Sequence, residues 1–357
     1  MSAGAFLLVA AASSVASAEP VALEVGEEHA CIVTDCGDLT CWGGPNQYFD
    51  EIPEGVSGPY VDVAVGDDHT CVLDEDGFVE CWGREDDGRL EPPYDDFDTI
   101  DGGMSHTCGI RANDRIACWG DDDEGKATPP FPNSAYRQVD AGRTFSCGVT
   151  TGRNAVDCWG KTPFGVERLL SWDILRDHGT AVGNPERFGT VSVGLAHFCV
   201  TTTYGAIYCF GEDNGAGQLS TLRYPEDPEA EPIPVGTLAT LEWLEGYEEH
   251  STFDDELAGL FFHGYQQGGR TYVGIDAGLL GNCAVYLDPS GGFDHYCFGY
   301  PFDYGWGNTL PLTTDPEIID ISFHNFCGWN QTYGEIDCEA EFPSSDLDEI
   351  PELSSCS

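Results

Sequence analysis

Fourteen of the sixteen cysteines fall into seven closely spaced pairs, and that spacing constrains the fold more than any other feature of the chain. Cys31/Cys41, Cys71/Cys81, Cys108/Cys118 and Cys199/Cys209 are ten residues apart. Cys147/Cys158 and Cys327/Cys338 are eleven apart, and Cys283/Cys297 fourteen. Residues 61–83, VDVAVGDDHTCVLDEDGFVECWG, show the unit. Val61, Val63 and Val65 alternate with polar or small residues, the period-2 pattern of a half-buried strand. Gly66 ends it, residues 69–73 form a second strand, and residues 78–82 return as a third. Between them Asp74-Glu75-Asp76-Gly77 makes a turn, with Gly77 supplying the positive φ of a tight hairpin. This hairpin sets Cys71 opposite Cys81, close enough for a disulfide.

The frame recurs. Gly26, Gly66, Gly103, Gly142, Gly194 and Gly278 each lie five residues before a first Cys, and Ser322 takes the place in the last copy. His29, His69, His106 and His197 lie two before it. The second Cys precedes Trp-Gly at Trp42, Trp82, Trp119 and Trp159, and Phe-Gly at Phe210 and Phe298. Residues 246–264 look like an eighth, degenerate copy, with Thr252 and Phe262 in the cysteine positions. First-Cys positions then step by 40, 37, 39, 52, 53, 31 and 44. A period near 40 made of short strands predicts a propeller or solenoid of β units. The hairpins are expected near 26–43, 66–83, 103–120, 142–160, 194–211, 246–264, 278–299 and 322–338, in one all-β domain spanning 21–357.

The motif GDDHTCVLDEDGFVECWG, with the tail GEDNGAGQLS at residues 211–220, resembles the regulator of chromosome condensation repeat family. The resemblance runs from about residue 21 to 343. The tail Asn is Asp or Glu in several copies, and the Cys pairs are more complete than in intracellular members. The resemblance implies a β-propeller, usually of seven blades; eight hairpins leave seven or eight open. In a ring the first and last units are neighbours. Cys36, in the first hairpin turn, and Cys356, the penultimate residue, are therefore expected to form a staple across the ring closure. A disulfide closing so long a loop contributes about 4–5 kcal/mol by chain entropy.

Residues 1–18 read as a secretory signal: a short apolar run at 6–12, then Ala16-Ser17-Ala18 as a cleavage site, though no Lys or Arg precedes the run. No other stretch approaches membrane-spanning length. Export and sixteen paired cysteines together indicate an oxidising, extracytoplasmic compartment.

The sequence offers few candidates for chemistry. Glu85-Asp86-Asp87 and Asp121-Asp122-Asp123-Glu124 are oxygen-rich, but neither run has a calcium-loop pattern with its closing bidentate Glu, and a solvated acidic loop is the simpler reading. His29, Cys31 and Cys41 share a hairpin face, yet a zinc site lacks a fourth ligand and a short C-x-x-C knuckle. The recurring Trp residues read as packing between blades. The plant ultraviolet-B photoreceptor of this family pairs clustered Trp with Arg, which has no repeating position beside the Trp here. No nucleophile elbow, phosphate-cradling loop, H-E-x-x-H or unpaired Cys is present, so no catalytic residue, metal or cofactor is assigned. Two stretches leave the frame, 161–187 and 222–240, and long loops on a rigid scaffold are common recognition sites. The expected function is an exported, non-catalytic binding module, a monomer that engages a protein or other macromolecule. Secreted inhibitors that cap a β-lactamase are one form such a relative takes. Nucleotide exchange on a small GTPase, as the family's nuclear namesake performs, and a calcium-dependent acidic surface protein are the alternatives.

The charge balance decides among partners. Sixty-three acidic residues face fourteen basic ones, a net charge of −49, and only Lys126 and Lys161 are lysines. Nucleic acid and anionic membrane surfaces are excluded, since both require a basic footprint. Such acidity strains the fold by self-repulsion, which salt screens. The melting temperature is expected to rise from low salt to about 1 M NaCl, where the Debye length is about 3 Å; calorimetry that finds it flat or falling contradicts this.

Overall fold

The computed structural model describes residues 18–43, 52–152, 155–162, 168–171, 188–203, 205, 207–211, 261–265, 271–278, 281–287, 293–299, 318–321, 325–330 and 335–340. These residues form seven antiparallel sheets, here called blades. Blades 1, 2 and 3 are Pro20–Val25/His29–Thr34/Leu39–Gly43, Tyr60–Val65/His69–Asp74/Val79–Gly83 and Phe97–Gly102/His106–Arg111/Ile116–Gly120. Blade 4 is Tyr136–Ala141/Phe145–Thr150/Ala155–Gly160/Arg168–Ser171, and blade 5 is Phe188–Val193/His197–Thr202/Ile207–Gly211/Phe261–Tyr265. Blades 6 and 7 are Thr271–Ala277/Gly281–Leu287/Phe293–Gly299 and Ile318–Ile321/Asn325–Asn330/Glu335–Ala340. One 3-10 turn, Asp123–Gly125, is the only helical element among the described residues.

Each expected Cys pair sits directly opposite across the second and third strands, as at Cys71↔Cys81, Cys199↔Cys209 and Cys283↔Cys297. All seven pairs are disulfides, with Cα atoms 4.0 to 4.1 Å apart: Cys31–Cys41, Cys71–Cys81, Cys108–Cys118, Cys147–Cys158, Cys199–Cys209, Cys283–Cys297 and Cys327–Cys338. Cys36 is also disulfide-bonded; Cys356, its expected partner, lies outside the described residues, as does the expected signal segment up to residue 17.

The second arm of the expected eighth hairpin requires correction. The hairpin's second arm, Phe261–Tyr265, is the fourth strand of blade 5, paired with Ile207–Gly211; the rest of 246–260 lies outside the described residues. Cys209 therefore lies on the third of four strands. It faces Cys199 on one side and His263 on the other, and is buried. Arg168–Ser171, inside the first long insertion, likewise pairs as the fourth strand of blade 4. Residue spacing between blades 4, 5 and 6 exceeds the usual period because the chain adds an outer strand there. The outer strands, RLLS and FFHGY, are short and lack a clear period-2 pattern, so the sequence alone cannot assign their sheet.

Two relations join neighbouring blades. The first is polar. The repeat His of one blade bonds the residue before the first Cys of the next: His29 Nε2 to Thr70 Oγ1 at 2.7 Å, His69 to Thr107 Oγ1 at 2.8 Å, His106 to Ser146 Oγ at 2.7 Å, and His197 to Asn282 Oδ1 at 2.8 Å. The Thr107 hydroxyl also lies 3.7 Å from Cys71 Sγ. A disulfide sulfur carries no proton, so that hydroxyl donates to sulfur and accepts from the imidazole. At the junction of blades 4 and 5 both partners change together. Phe145 stands in the His place and Phe198 in the Thr place, and they share one apolar cluster with Phe210.

The second relation is apolar. The aromatic residue after a second Cys shares a buried cluster with the disulfide of the preceding blade. Trp82 clusters with Cys31 and Cys41, Trp119 with Cys71 and Cys81, Trp159 with Cys108 and Cys118, and Phe210 with Cys147 and Cys158. Trp42 does the same with Cys327 and Cys338, so blade 7 packs on blade 1 in the register of the other junctions. Cys199 and Cys209 share their cluster with Tyr272 and Tyr286 of blade 6. Sulfur against an aromatic ring contributes about 0.3–1.5 kcal/mol per contact.

The His spokes are fully buried, and burial lowers the imidazoles of His29, His69 and His106 to about 3 and of His197 to about 4. Their folded values lie below the unfolded one, so their stability contribution is complete above about pH 6.5 and is lost as pH falls through the folded values. His69→Ala orphans the buried Thr107 hydroxyl and leaves a cavity. It is expected to cost about 2–4 kcal/mol in denaturant titration and to reduce the acid sensitivity of unfolding; an effect under about 0.5 kcal/mol contradicts the spoke.

Candidate functional site: the axial channel

The first strands of the blades run along a central channel. In most of them a β-bulge near the start, as between Tyr60 and Asp62 or Phe97 and Thr99, precedes a regular run toward the repeat glycine. A bulge puts two residues opposite one and turns the extra side chain outward. Tyr60, Phe97, Tyr136, Phe188 and Tyr272, beside the bulges, are buried. Val21, Val61 and Val273, within them, are exposed.

At the other end lies a ring of glycines. A Cβ added to Gly26 would meet the carbonyl oxygen of Gly66 at 2.7 Å. The same holds for Gly66 and Gly103 oxygen at 2.8 Å, Gly103 and Gly142 oxygen at 2.6 Å, and Gly142 and Gly194 oxygen at 3.1 Å. Gly194 repeats the contact with Gly278. At Gly66, Gly103 and Gly194 the spoke His ring fills the remaining space. A Cβ cannot be accommodated at such distances, so the motif glycine is required by the approach of the next blade.

Two residues before each glycine, and before Ser322 in the last copy, is the position paired with the first Cys: Glu24, Ala64, Asp101, Asp140, Ser192, Asp276 and Asp320. Asp101, Asp140, Ser192 and Asp276 of this ring tie the first strands of blades 3 to 6 together. Ala141 N donates to Asp101 Oδ1 at 2.7 Å and Val193 N to Asp140 Oδ1 at 2.9 Å. Ala277 N donates to Ser192 Oγ at 2.9 Å, and that hydroxyl donates to Asp276 Oδ1 at 2.8 Å. A second tier repeats the scheme: Asp62 Oδ2 accepts from Thr99 Oγ1 and Ile100 N, and Gln138 bonds both backbone groups of Val191. These strands enclose a cavity of about 140 Å³. Arg143 is the one basic residue lining it among the described residues.

Burial dominates the electrostatics. It pushes Asp101 up to about 7 and Asp140 well above the usual carboxylate range, with neighbouring carboxylates adding to both and backbone N–H donors opposing. At the glycine-end mouth Asp67 is raised to about 7 by burial and by Glu27, against the pull of Arg143.

The other residues singled out from sequence lie elsewhere. The zinc reading is excluded at His29, Cys31 and Cys41, since both sulfurs are in a disulfide and His29 Nε2 bonds Thr70. The acidic runs are occupied by the few cations and by backbone donors. Arg84 pairs with Asp68 and Asp86, and Arg89 lies 3.6 Å from Asp87. Lys126 Nζ bonds Asp121 at 2.6 Å, and Asp122 accepts from Ala127 N and Thr128 Oγ1. Burial raises Asp121, but the Lys126 ammonium, the Asp123 N–H and the Ser105 hydroxyl outweigh it and hold the group at about 2. Trp42, Trp82, Trp119 and Trp159 are buried between blades. Of the insertions, only 161–162 and 168–171 fall within the described residues. The channel carboxyls were missed, although the acid two residues before the repeat glycine recurs in five of seven copies, at Glu24, Asp101, Asp140, Asp276 and Asp320.

Radially arranged blades about an axial channel define a β-propeller. Residues 60–89, one copy of its repeat, match the family model described as "Regulator of chromosome condensation (RCC1) repeat". No curated protein matches the chain by sequence. Solved structures share the fold. The ectodomain of the receptor kinase CR4 from Physcomitrella patens superposes with a TM-score of 0.58 at 18% identity, covering 91% of this chain and 74% of that one. The CRINKLY WD40 ectodomain of Arabidopsis thaliana ACR4 gives 0.56 at 15%, covering 91% and 98%. Prp20p from Saccharomyces cerevisiae gives 0.59 at 13%, covering 85% and 80%.

The glycine ring yields a direct prediction. Gly103→Ala drives a methyl into the Gly142 carbonyl and the His106 ring. Overpacking of this kind costs about 1–3 kcal/mol or more, so a melting temperature within a degree of wild type contradicts the ring.

Proposed function

We propose that the protein is an exported, non-catalytic binding module that engages a protein partner through the bulge end of the propeller. The observation that carries this reading is where exposed apolar side chains gather. Val21, Val61 and Val273 at the bulges are 51%, 45% and 43% exposed. Phe78, in a hairpin turn at the same end, stands beside Tyr94, with ring centroids 5.7 Å apart, and Tyr94 is 92% exposed. These are five of the six large hydrophobic residues exposed among the described ones. Soluble proteins scatter such residues singly, and their concentration on one face marks an interaction surface.

The coarser facts fit. Seven hairpin disulfides suit an oxidising compartment, and no described helix is long and apolar enough to cross a membrane. Among the structural relatives, Prp20p is described by its binding to Gsp1p and histones, and as the partner of Kap60. Partner binding on a propeller face is what this reading carries over. An inhibitor that caps an enzyme is one concrete form of it.

The test is affinity capture from the secreted and envelope proteins of the native source. The folded wild-type chain is compared with Val61→Asp/Tyr94→Asp, whose melting temperature should match it. The reading expects a protein retained by the wild type and lost by the variant. Retention that the two substitutions leave unchanged, or no retained protein, overturns it.

A further inference from the structure

We propose that the axial channel is a proton-binding device: Asp101 and Asp140 hold protons at neutral pH beside the Asp276 carboxyl, and those protons keep the first strands of blades 3 to 6 docked. The warrant is the cavity's composition. Glu24, Glu27, Asp67, Asp101, Asp140 and Asp276 all line it, against the single cation Arg143 among the described residues. Six carboxylates about a space of roughly 140 Å³ repel too strongly to ionise together. Arg143 sits at the glycine-end mouth, on the loop beyond Gly142, where it acts on Asp67. The inner ring of Asp101, Asp140 and Asp276 is relieved by protons on Asp101 and Asp140 instead.

The charged and titratable groups around that inner ring are specific. Blade 1 contributes Glu24 and Glu27, blade 2 Asp62 and Asp67, and blade 4 Arg143 beside Asp140. Blade 5 offers only the neutral Ser192, which bonds Asp276. Blade 7 places Asp320 at the same register position. The spoke imidazoles lie behind the glycine ring, bonded to Thr, Ser or Asn of the next blade.

The geometry also links protonation to docking. The Oδ1 atoms of Asp101 and Asp140 each accept a backbone N–H from the following blade, at Ala141 and Val193. That bond uses one oxygen and survives protonation of the other. Deprotonation keeps the bond but adds a buried like charge to the ring, and the blades relieve it by separating. Burial with neighbouring carboxylates supports the reading, raising Asp101 to about 7 and Asp140 well above the usual carboxylate range.

The sign follows. Folded values above the unfolded one mean the folded state binds more protons, so this contribution is full below about pH 4 and is lost as pH rises through the folded values. The His spokes act oppositely and only below about pH 6.5. Above that the carboxyls stand alone.

The experiment is thermal unfolding from about pH 6.5 to about pH 8.5 in about 1 M salt, which screens surface charge but not buried charge. Wild type is compared with Asp101→Asn/Asp140→Asn. The amide keeps the oxygen that accepts the N–H and replaces the proton. Wild type should melt at falling temperature as pH rises. The variant should melt several degrees higher at the alkaline end and show a much shallower slope. Should the double variant fail to fold, infrared spectroscopy of the wild type at neutral pH reads the carbonyl stretch of protonated carboxylic acids directly, and Asp140→Asn should diminish it. A slope unchanged by the substitutions, or no protonated-carboxyl band at neutral pH, overturns the proposal.

Discussion

The carbonyl oxygens of Gly66, Gly103, Gly142, Gly194 and Gly278 each stand where the preceding blade's glycine would carry a Cβ, and the remaining geometry of those junctions depends on that approach. It brings the first strands near enough for the side chain of one to accept the N–H of the next, as Asp101 does from Ala141. It also leaves a slot for the His ring, whose Nε2 then reaches the hydroxyl of the following blade. Neighbouring blades thus share three contacts at successive radii: backbone against backbone at the axis, imidazole to hydroxyl one layer out, and aromatic against disulfide beyond that.

The disulfides act within blades and the aromatics between them. A ten-residue spacing closes only a short loop, so each cystine restricts the unfolded chain modestly, about 2–3 kcal/mol by chain entropy. Its second role is to present a compact apolar surface to the aromatic side chains of the following blade. Three-stranded blades bury little apolar area alone, and the cystine-aromatic layer enlarges the shared core without lengthening any strand.

Much of this was legible in the sequence because the determinants are local. Cys71 and Cys81 lie on the two arms of one tight turn, so their pairing follows from hairpin geometry. The glycine and histidine were visible as a motif, but their purpose was not, since Gly66 meets Gly103 and His69 meets Thr107 across a blade boundary. The second arm of the expected eighth hairpin was misplaced for the same reason: residues 261–265 have strand character, and only the fold says that they extend blade 5 beside Ile207–Gly211. The channel carboxyls were hidden by abundance. Among 63 acidic residues, Asp101 and Asp140 look like any others until the register places them on one axis.

The pairing of spoke and acceptor has a consequence for assembly order. Near-identical repeats risk docking in the wrong sequence, or exchanging with another chain, because each junction resembles the rest. At four junctions a His faces a hydroxyl or amide, but between blades 4 and 5 a Phe faces a Phe. A blade inserted at the wrong place would set Phe145 against Thr or Ser, or a His against Phe198, burying a polar group without a partner. That unlike junction therefore works as a key for one place in the circle, favouring blade 5 as the neighbour of blade 4 over any other blade.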